Sequence, residues 1–235
     1  MSSTPRNAPP VCLVIRWSNH VAADAGPARL LRRLIEARLP ATWAIEQPAQ
    51  STPLAAAPQL VEHALLLPRV DANFSDALAD GLHRFSAAGH DVATLAVAGQ
   101  PPRGQSERQL AQLGVRAIVT ESNASGSGSI RPLPFGLWQA SAHGTLPSRR
   151  RWLRRVGGVP QELVAGAAGP AIITADAAEL IRQGARAWSE LELAIDQLET
   201  ANERGAIRIA TVADLAAELT RQAAPKPQRS ILRAA

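Results

Sequence analysis

The sequence predicts an α/β protein made of repeated strand–helix units around a mostly parallel sheet. Three observations carry this. Short, almost wholly apolar runs recur along the chain, beginning with Val11-Cys12-Leu13-Val14-Ile15, and a strand apolar at every position is one covered on both faces, as parallel strands are. Amphipathic stretches with breaker residues at their ends stand between these runs. A chain of 235 residues with 46% apolar content is long enough for one sizeable core. A single domain is therefore expected over residues 11–222, flanked by a flexible N-terminus (1–10) and a flexible basic tail (223–235).

The elements follow in order. Gly26-Pro27 opens the first helix, proline being tolerated in the first turn, and Leu30, Leu31, Leu34, Ile35 and Leu39 form its apolar stripe before Pro40 stops it. Ala41 to Glu46 reads as the second strand. A looser proline-containing segment, 48–58, leads to a short helix and a third strand from Ala64 to Leu67. Phe74, Leu78, Leu82 and Phe85 recur at helical spacing, His63 and His83 read as surface positions on amphipathic helices, and Gly89 stands where a left-handed C-terminal cap is wanted. Val92 to Val97 is strand four. A helix from about Gln105 to Leu113 ends at Gly114, and Val115 to Val119 is strand five. The Ser/Gly/Asn run 122–129 has no apolar anchor and reads as a mobile connection. Ala171 to Thr174 is another buried strand, and Asp176 is a good N-cap for a short helix. The longest helix, from about Ala187 to Glu203, carries Trp188, Leu191, Ile195 and Leu198 on one face. Ile207 to Ile209 is the last strand, and Thr211 caps the last helix, which runs to about Gln222. Such an alternation fits a closed or nearly closed barrel or an open doubly wound sheet, and periodicity does not choose between them.

Composition narrows the function. No apolar run reaches the roughly 18 residues of a membrane-spanning helix, and Met1 to Pro10 has no apolar signal-peptide core, so no transmembrane segment is expected and a cytoplasmic location is. The one cysteine, Cys12, lies in the first strand, which predicts a buried inert thiol. The net charge of +5 is regional. Ten of the 25 basic residues are Arg6, the cluster Arg149, Arg150, Arg151, Arg154 and Arg155, and Arg221, Lys226, Arg229 and Arg233 near the C-terminus. The rest of the chain is net acidic. A nucleic-acid surface spreads basic residues over a face, with aromatics or amides between them, so this distribution argues against nucleic acid. The cluster around Trp152 suggests a short basic helix with one aromatic anchor, either a solvated helix with its tryptophan tucked into the barrel or one suited to an acidic protein partner, a phosphate group or a membrane surface. The tail is a second candidate contact.

Several segments together carry a resemblance: the strand Val11 to Ile15, the helix Pro27 to Leu39, the strand Ala41 to Glu46, the turn Ala88-Gly89-His90-Asp91-Val92 and the closing run Ile209 to Leu215. Over roughly residues 11–219 the chain resembles the NodB-homology polysaccharide deacetylases. The resemblance implies a distorted (β/α) barrel of about seven parallel strands, and it implies where family chemistry would sit. Two adjacent aspartates end the family's first strand; Arg16 and Trp17 hold those places here. Two histidine ligands would stand at Leu95 and Gly99, counted from the His90 turn, in which His90 resembles a structural residue. A late histidine should follow an apolar strand, and Ile172-Ile173-Thr174-Ala175 has none. Arg131-Pro132-Leu133-Pro134-Phe135-Gly136-Leu137-Trp138 resembles the family's Arg-x-Pro-aromatic-Gly motif with one additional residue. Its arginine would orient a base aspartate that is replaced here.

In a parallel barrel, function sits at the carboxyl ends of the strands. The candidate pocket is Arg16, Trp17, His20, Glu46, Asp71, Glu121, Arg131 and Trp138, with no catalytic residue, no metal and no cofactor expected. His20 and Asp24 share a face only if a helix begins before Gly26-Pro27. Glu46, Asp71 and Glu121 form the remaining carboxylate set, because a metal needs about three converging ligands. Arg131 could pair with Glu46 or Glu121, or grip an anion bidentately, and a phosphate, sulfate or carboxylate near Arg16 and Arg131 is the expected occupant. The sequence thus points to a catalytically inactive deacetylase-like protein that binds a carbohydrate-related or anionic ligand, or acts as a scaffold. The alternative is an active hydrolase of C–N (N-acyl) bonds in carbohydrates with a relocated or absent metal site, using Glu46, Asp71 or Glu121 as base. A Gly-x-Ser-x-Gly elbow is absent from the sequence.

Overall fold

The computed structural model describes residues 8–18, 21, 26–67, 74–97, 105–121, 128–146 and 169–223. In chain order these form β1 (Pro10–Trp17), α1 (Pro27–Glu36), β2 (Ala41–Ile45), two 3-10 turns (Pro48–Ala56 and Pro58–Leu60), β3 (Val61–Leu67), α2 (Phe74–Ala87), β4 (Thr94–Val97), α3 (Gln105–Gln112) and β5 (Ala117–Thr120). There follow β6 (Ser129–Pro132), a 3-10 turn (Pro134–Gly136), β7 (Trp138–Ser141), β8 (Gly144–Leu146), β9 (Ala171–Asp176), α4 (Ala177–Gln183), α5 (Ala185–Glu203), β10 (Arg208–Ala210) and α6 (Val212–Ala223).

The ten strands make one curled, mostly parallel sheet in the order β6-β7-β5-β4-β3-β2-β1-β9-β8. β1 pairs with β9 along Val11–Arg16; its other edge takes β10 at Pro10–Cys12 and β2 at Val14–Trp17, all parallel. The adjacent parallel placement of β1 and β2 agrees with the single short βα unit between them. Among the described residues β6 is the one antiparallel strand, folded onto β7. The two ends of the sheet meet through two residues. The N–H of Ala142 donates to Thr120 O at 3.2 Å and that of His143 to Ile172 O at 2.7 Å, so one extended run pairs first with β5 and then with β9.

Alternation along the strands sorts side chains into two layers. Val11, Leu13, Ile15, Trp17, Trp43, Ile45, Leu65, Leu95 and Ile118 face outward to the helices, where Leu30, Leu34, Leu78, Leu110, Leu191 and Leu198 cover them. The inner face is mostly small, with Ala44, Ala64, Ala96, Ala117 and Ala140 beside Cys12, Val14 and Ile172. α6 uses that space: Val212, Leu215 and Ala216 pack against the inner face. Full burial of a Val or Leu contributes about 1.5–3 kcal/mol, enough to hold a short helix there.

Most expected elements stand within a residue or two of their places. α1 stops at Glu36, short of Leu39, because Arg38 takes a left-handed φ of 54°, which lets the N–H of Leu39 reach Leu34 O at 3.0 Å and turns Leu39 into the core. The helix expected before strand three is instead a pair of 3-10 turns, and β3 starts earlier. His63 therefore lies in a strand, pairing in register with Trp43; sheet pairing overrides the helical appearance of its neighbours. His83 is exposed on α2 as expected. β6, β7 and β8 were not foreseen, being short and without a continuous apolar run. Cys12 is buried, its thiol donating to Thr211 O at 3.3 Å and its ionisation pushed well up by burial, as an inert cysteine should be.

Candidate functional site

At the carboxyl end of the sheet the pleat decides which candidates meet. Arg16 alternates with Val14 and Cys12 toward the inner space, and its Nη1 donates to Glu121 Oε1 just beyond β5. The Arg16 side chain is 14% exposed and that of Glu121 36%, so the pair is partly shielded from water. Arg16 Nε is buried without a partner. Trp17, one residue later, points the other way: it is fully buried in the outer layer, edge-on to Trp43 at 6.3 Å, with Nε1 donating to Val21 O at 2.8 Å.

Glu46 directly follows β2. Gln50, which the sequence reading did not single out, joins it to β1: Gln50 Oε1 accepts the N–H groups of Glu46 and Gln47 at 3.0 Å, and Gln50 Nε2 donates to Trp17 O at 2.8 Å. The only sequence signal was a polar side chain within a proline-flanked turn. Asp176, the register partner of Arg16, caps α4 by accepting from the N–H groups of Ala178 and Glu179 at 2.9 and 3.2 Å. Below it on the same face, Thr174 Oγ1 lies 3.1 Å from Thr145 Oγ1.

Arg131 and Trp138 do not join this group. Arg131 donates through Nε and Nη2 to Gln139 Oε1 at 3.0 and 2.7 Å, pairing with neither Glu46 nor Glu121. The two arginines therefore do not converge on one anion. Trp138 is at the amino end of β7, packing on the inner layer with Nε1 donating to Thr220 of α6 at 3.0 Å. His20, Asp71, Gly99, Arg149, Arg150, Arg151, Trp152 and most of the tail lie outside the described residues. Leu95 faces the outer layer, while its neighbour Ala96 faces inward, so neither supplies a ligand to the inner space.

The residues present do not fit a divalent metal at the end of β1. A guanidinium occupies that position and pairs with Glu121, and among the described residues no group of three or more His, Cys, Asp or Glu side chains could hold an ion. His90 Nε2 lies 2.8 Å from Ser51 Oγ. A shallow cleft of about 410 Å³, lined by His90, Asp91, Leu82 and Leu113 among others, opens at the far ends of α2 and α3, away from the carboxyl ends.

At the amino end of the strands lies a half-buried carboxylate that sequence reasoning missed. Glu62 of β3 accepts from Thr42 Oγ1 at 2.6 Å, from Thr94 Oγ1 at 2.5 Å and from the N–H of Ala213 at 3.1 Å. Burial pushes its ionisation up, and these hydrogen bonds oppose the rise.

No protein-family model matches the chain, and no curated protein matches it. Solved structures do. Puue allantoinase aligns over 92% of this chain and 92% of its own, with a TM-score of 0.60 at 13% identity. The 4-alpha-glucanotransferase from Thermococcus litoralis aligns over 89% of this chain with a TM-score of 0.56 at 10% identity, this chain spanning 38% of its length. A family 4 carbohydrate esterase from Bacillus anthracis aligns over 88% of this chain and 82% of its own, with a TM-score of 0.48 at 15% identity. For the allantoinase and the glucanotransferase the likeness, at such identities, is one of fold.

Proposed function

We propose that this chain is a deacetylase-like barrel whose carboxyl-end site binds a small oxygen-rich ligand, carbohydrate-related or anionic, without metal-dependent hydrolysis, so that it works as a binding or scaffold protein. The observation that carries the reading is the Arg16–Glu121 pair. A fixed cation at the end of β1 repels a dication, Glu121 is engaged by it, and the neighbouring Asp176 is taken up in capping α4. The pair offers N–H donors beside a carboxylate acceptor with little net charge, a combination suited to hydroxyl or carboxamide groups as much as to anions.

The test uses the 235-residue chain incubated with zinc, cobalt and nickel, desalted, and analysed for metal. N-acetylated oligosaccharides and inorganic phosphate are then titrated calorimetrically, and deacetylation is assayed. Substoichiometric metal, no acetate release, and saturable binding lost in Arg16→Ala are expected. One tightly held metal per chain, with acetate release abolished by a chelator, would overturn the reading in favour of an active C–N hydrolase.

A further inference from the structure

Between β2 and β3 no α-helix covers the outer face. The segment 47–60 crosses it as 3-10 turns, and none of its residues is charged. Trp43 and His63, paired in register on these strands, share the outer face with it. The His63 ring lies against that of His90, with centroids 4.4 Å apart and planes inclined by 36°, and Phe85 stands 6.1 Å from His90. His63 Nε2 is buried without a partner. Ser51 Oγ donates to Pro48 O at 2.7 Å, so at 2.8 Å from His90 Nε2 its oxygen accepts, which places a proton on that nitrogen. The same turn holds Gln50, which ties Glu46 N to Trp17 O at the carboxyl ends of β2 and β1.

Among the described residues no carboxylate is hydrogen-bonded to either ring. Segment 47–60 supplies none, β2 supplies Trp43, and Glu62 of β3 is engaged on the opposite face with Thr42 and Thr94. On α2, Asp80 and Arg84 pair with each other at the surface; Asp91 follows His90 but is exposed. His90 also lines the cleft at the ends of α2 and α3.

We propose that the His63–His90 stack is a proton-operated latch: proton uptake frees segment 47–60 and with it releases the Gln50 bridge between Glu46 N and Trp17 O, the strands themselves staying paired. A protonated His63 would hold a buried N–H without an acceptor beside a second imidazole, and lifting the uncharged segment lets water reach both rings. Burial, with His90 adding to it, already holds the ionisation of His63 down at about 4. A closed form that resists the proton and an open form that accepts it near the ordinary 6.5 are linked by acid. The latch opens as pH falls through that interval.

Amide hydrogen exchange on the full chain, corrected for the intrinsic pH dependence of exchange, tests this between pH 7 and pH 5. Protection at the hydrogen-bonded amides of Gln50, Ala57 and Leu60 should fall about tenfold, with β1 and β9 amides unchanged. His63→Phe keeps a ring in the stack and removes the titration; its 47–60 protection should not vary with pH. Imidazole NMR titration of the wild type provides a readout that needs no variant, and the His63 transition should coincide with the loss of protection. Unchanged wild-type protection, parallel loss in β1, or the same pH dependence in His63→Phe would each overturn the latch.

Discussion

The hydroxyl of Thr42 accepts the N–H of Val212 at 3.0 Å, joining β2 to the start of α6 across 170 positions of sequence. Thr42 in turn donates to Glu62, whose carboxylate also takes the N–H of Ala213. Two of the helix's free N-terminal amides are thus satisfied by neighbouring strands, where an anion is favoured by the helix dipole. This fixes α6 against the inner face and closes the amino end of the barrel-like sheet.

Glu62→Ala should strand the Thr94 hydroxyl and the Ala213 N–H and cost about 2–4 kcal/mol. Glu62→Gln keeps an acceptor and should cost less. The pH dependence has a definite sign. The folded-state ionisation of Glu62 lies above its ordinary 4.5, so the folded protein binds the proton more tightly and Glu62 contributes more stability as pH falls through the raised value toward 4.5. The deficit of Glu62→Gln relative to wild type should therefore grow on acidification. Urea unfolding at pH 7 and pH 5 measures it, and a deficit that shrinks would contradict this account.

His143 holds the seam where the two ends of the sheet meet. Its Nδ1 accepts the N–H of Ile172 at 3.1 Å, so its proton belongs on Nε2, and burial lowers its ionisation from 6.5. Its contribution to stability is present above 6.5 and is lost as pH falls from there through the lowered value. Two-bond ¹⁵N–¹H correlation should report the Nε2–H form at pH 7. A Cβ at Gly128 would stand 2.1 Å from His143 Cγ, so Gly128→Ala should displace the ring and cost about 1–3 kcal/mol in thermal or urea unfolding.

Arg16 and Glu121 should show coupling in a double-mutant cycle with Arg16→Ala and Glu121→Gln. Because Glu121 is partly exposed, a coupling of about 1 kcal/mol is expected, weakening in high salt. Coupling near zero would mean that the pair does not form in solution.

Removing residues 224–235 should leave the melting temperature nearly unchanged, since α6 makes its contacts through Val212, Leu215, Ala216 and Thr220. A fall of more than about 4 °C would correspond to roughly 1 kcal/mol or more and show that the tail docks.

The sequence by itself determined the strand–helix alternation, the inert Cys12 and the cap at Asp176, because these follow from local periodicity and from side-chain bonds within a turn. It also located β1 closely enough to place Arg16 and Trp17 at its end. Which of the two faces the site was left to the pleat: Arg16 shares its face with Val14, and Trp17 shares its own with Ile15, a matter of one residue in phase. The meeting of Arg16 with Glu121, the withdrawal of Arg131 onto Gln139, the placing of Trp138 beneath α6 and the strand at His63 were all decided by pairing between distant segments. Such pairing depends on register and sheet order, which local apolar pattern does not encode. The short polar strands β6 to β8 were hidden for the same reason, since their stability comes from the partners they bridge.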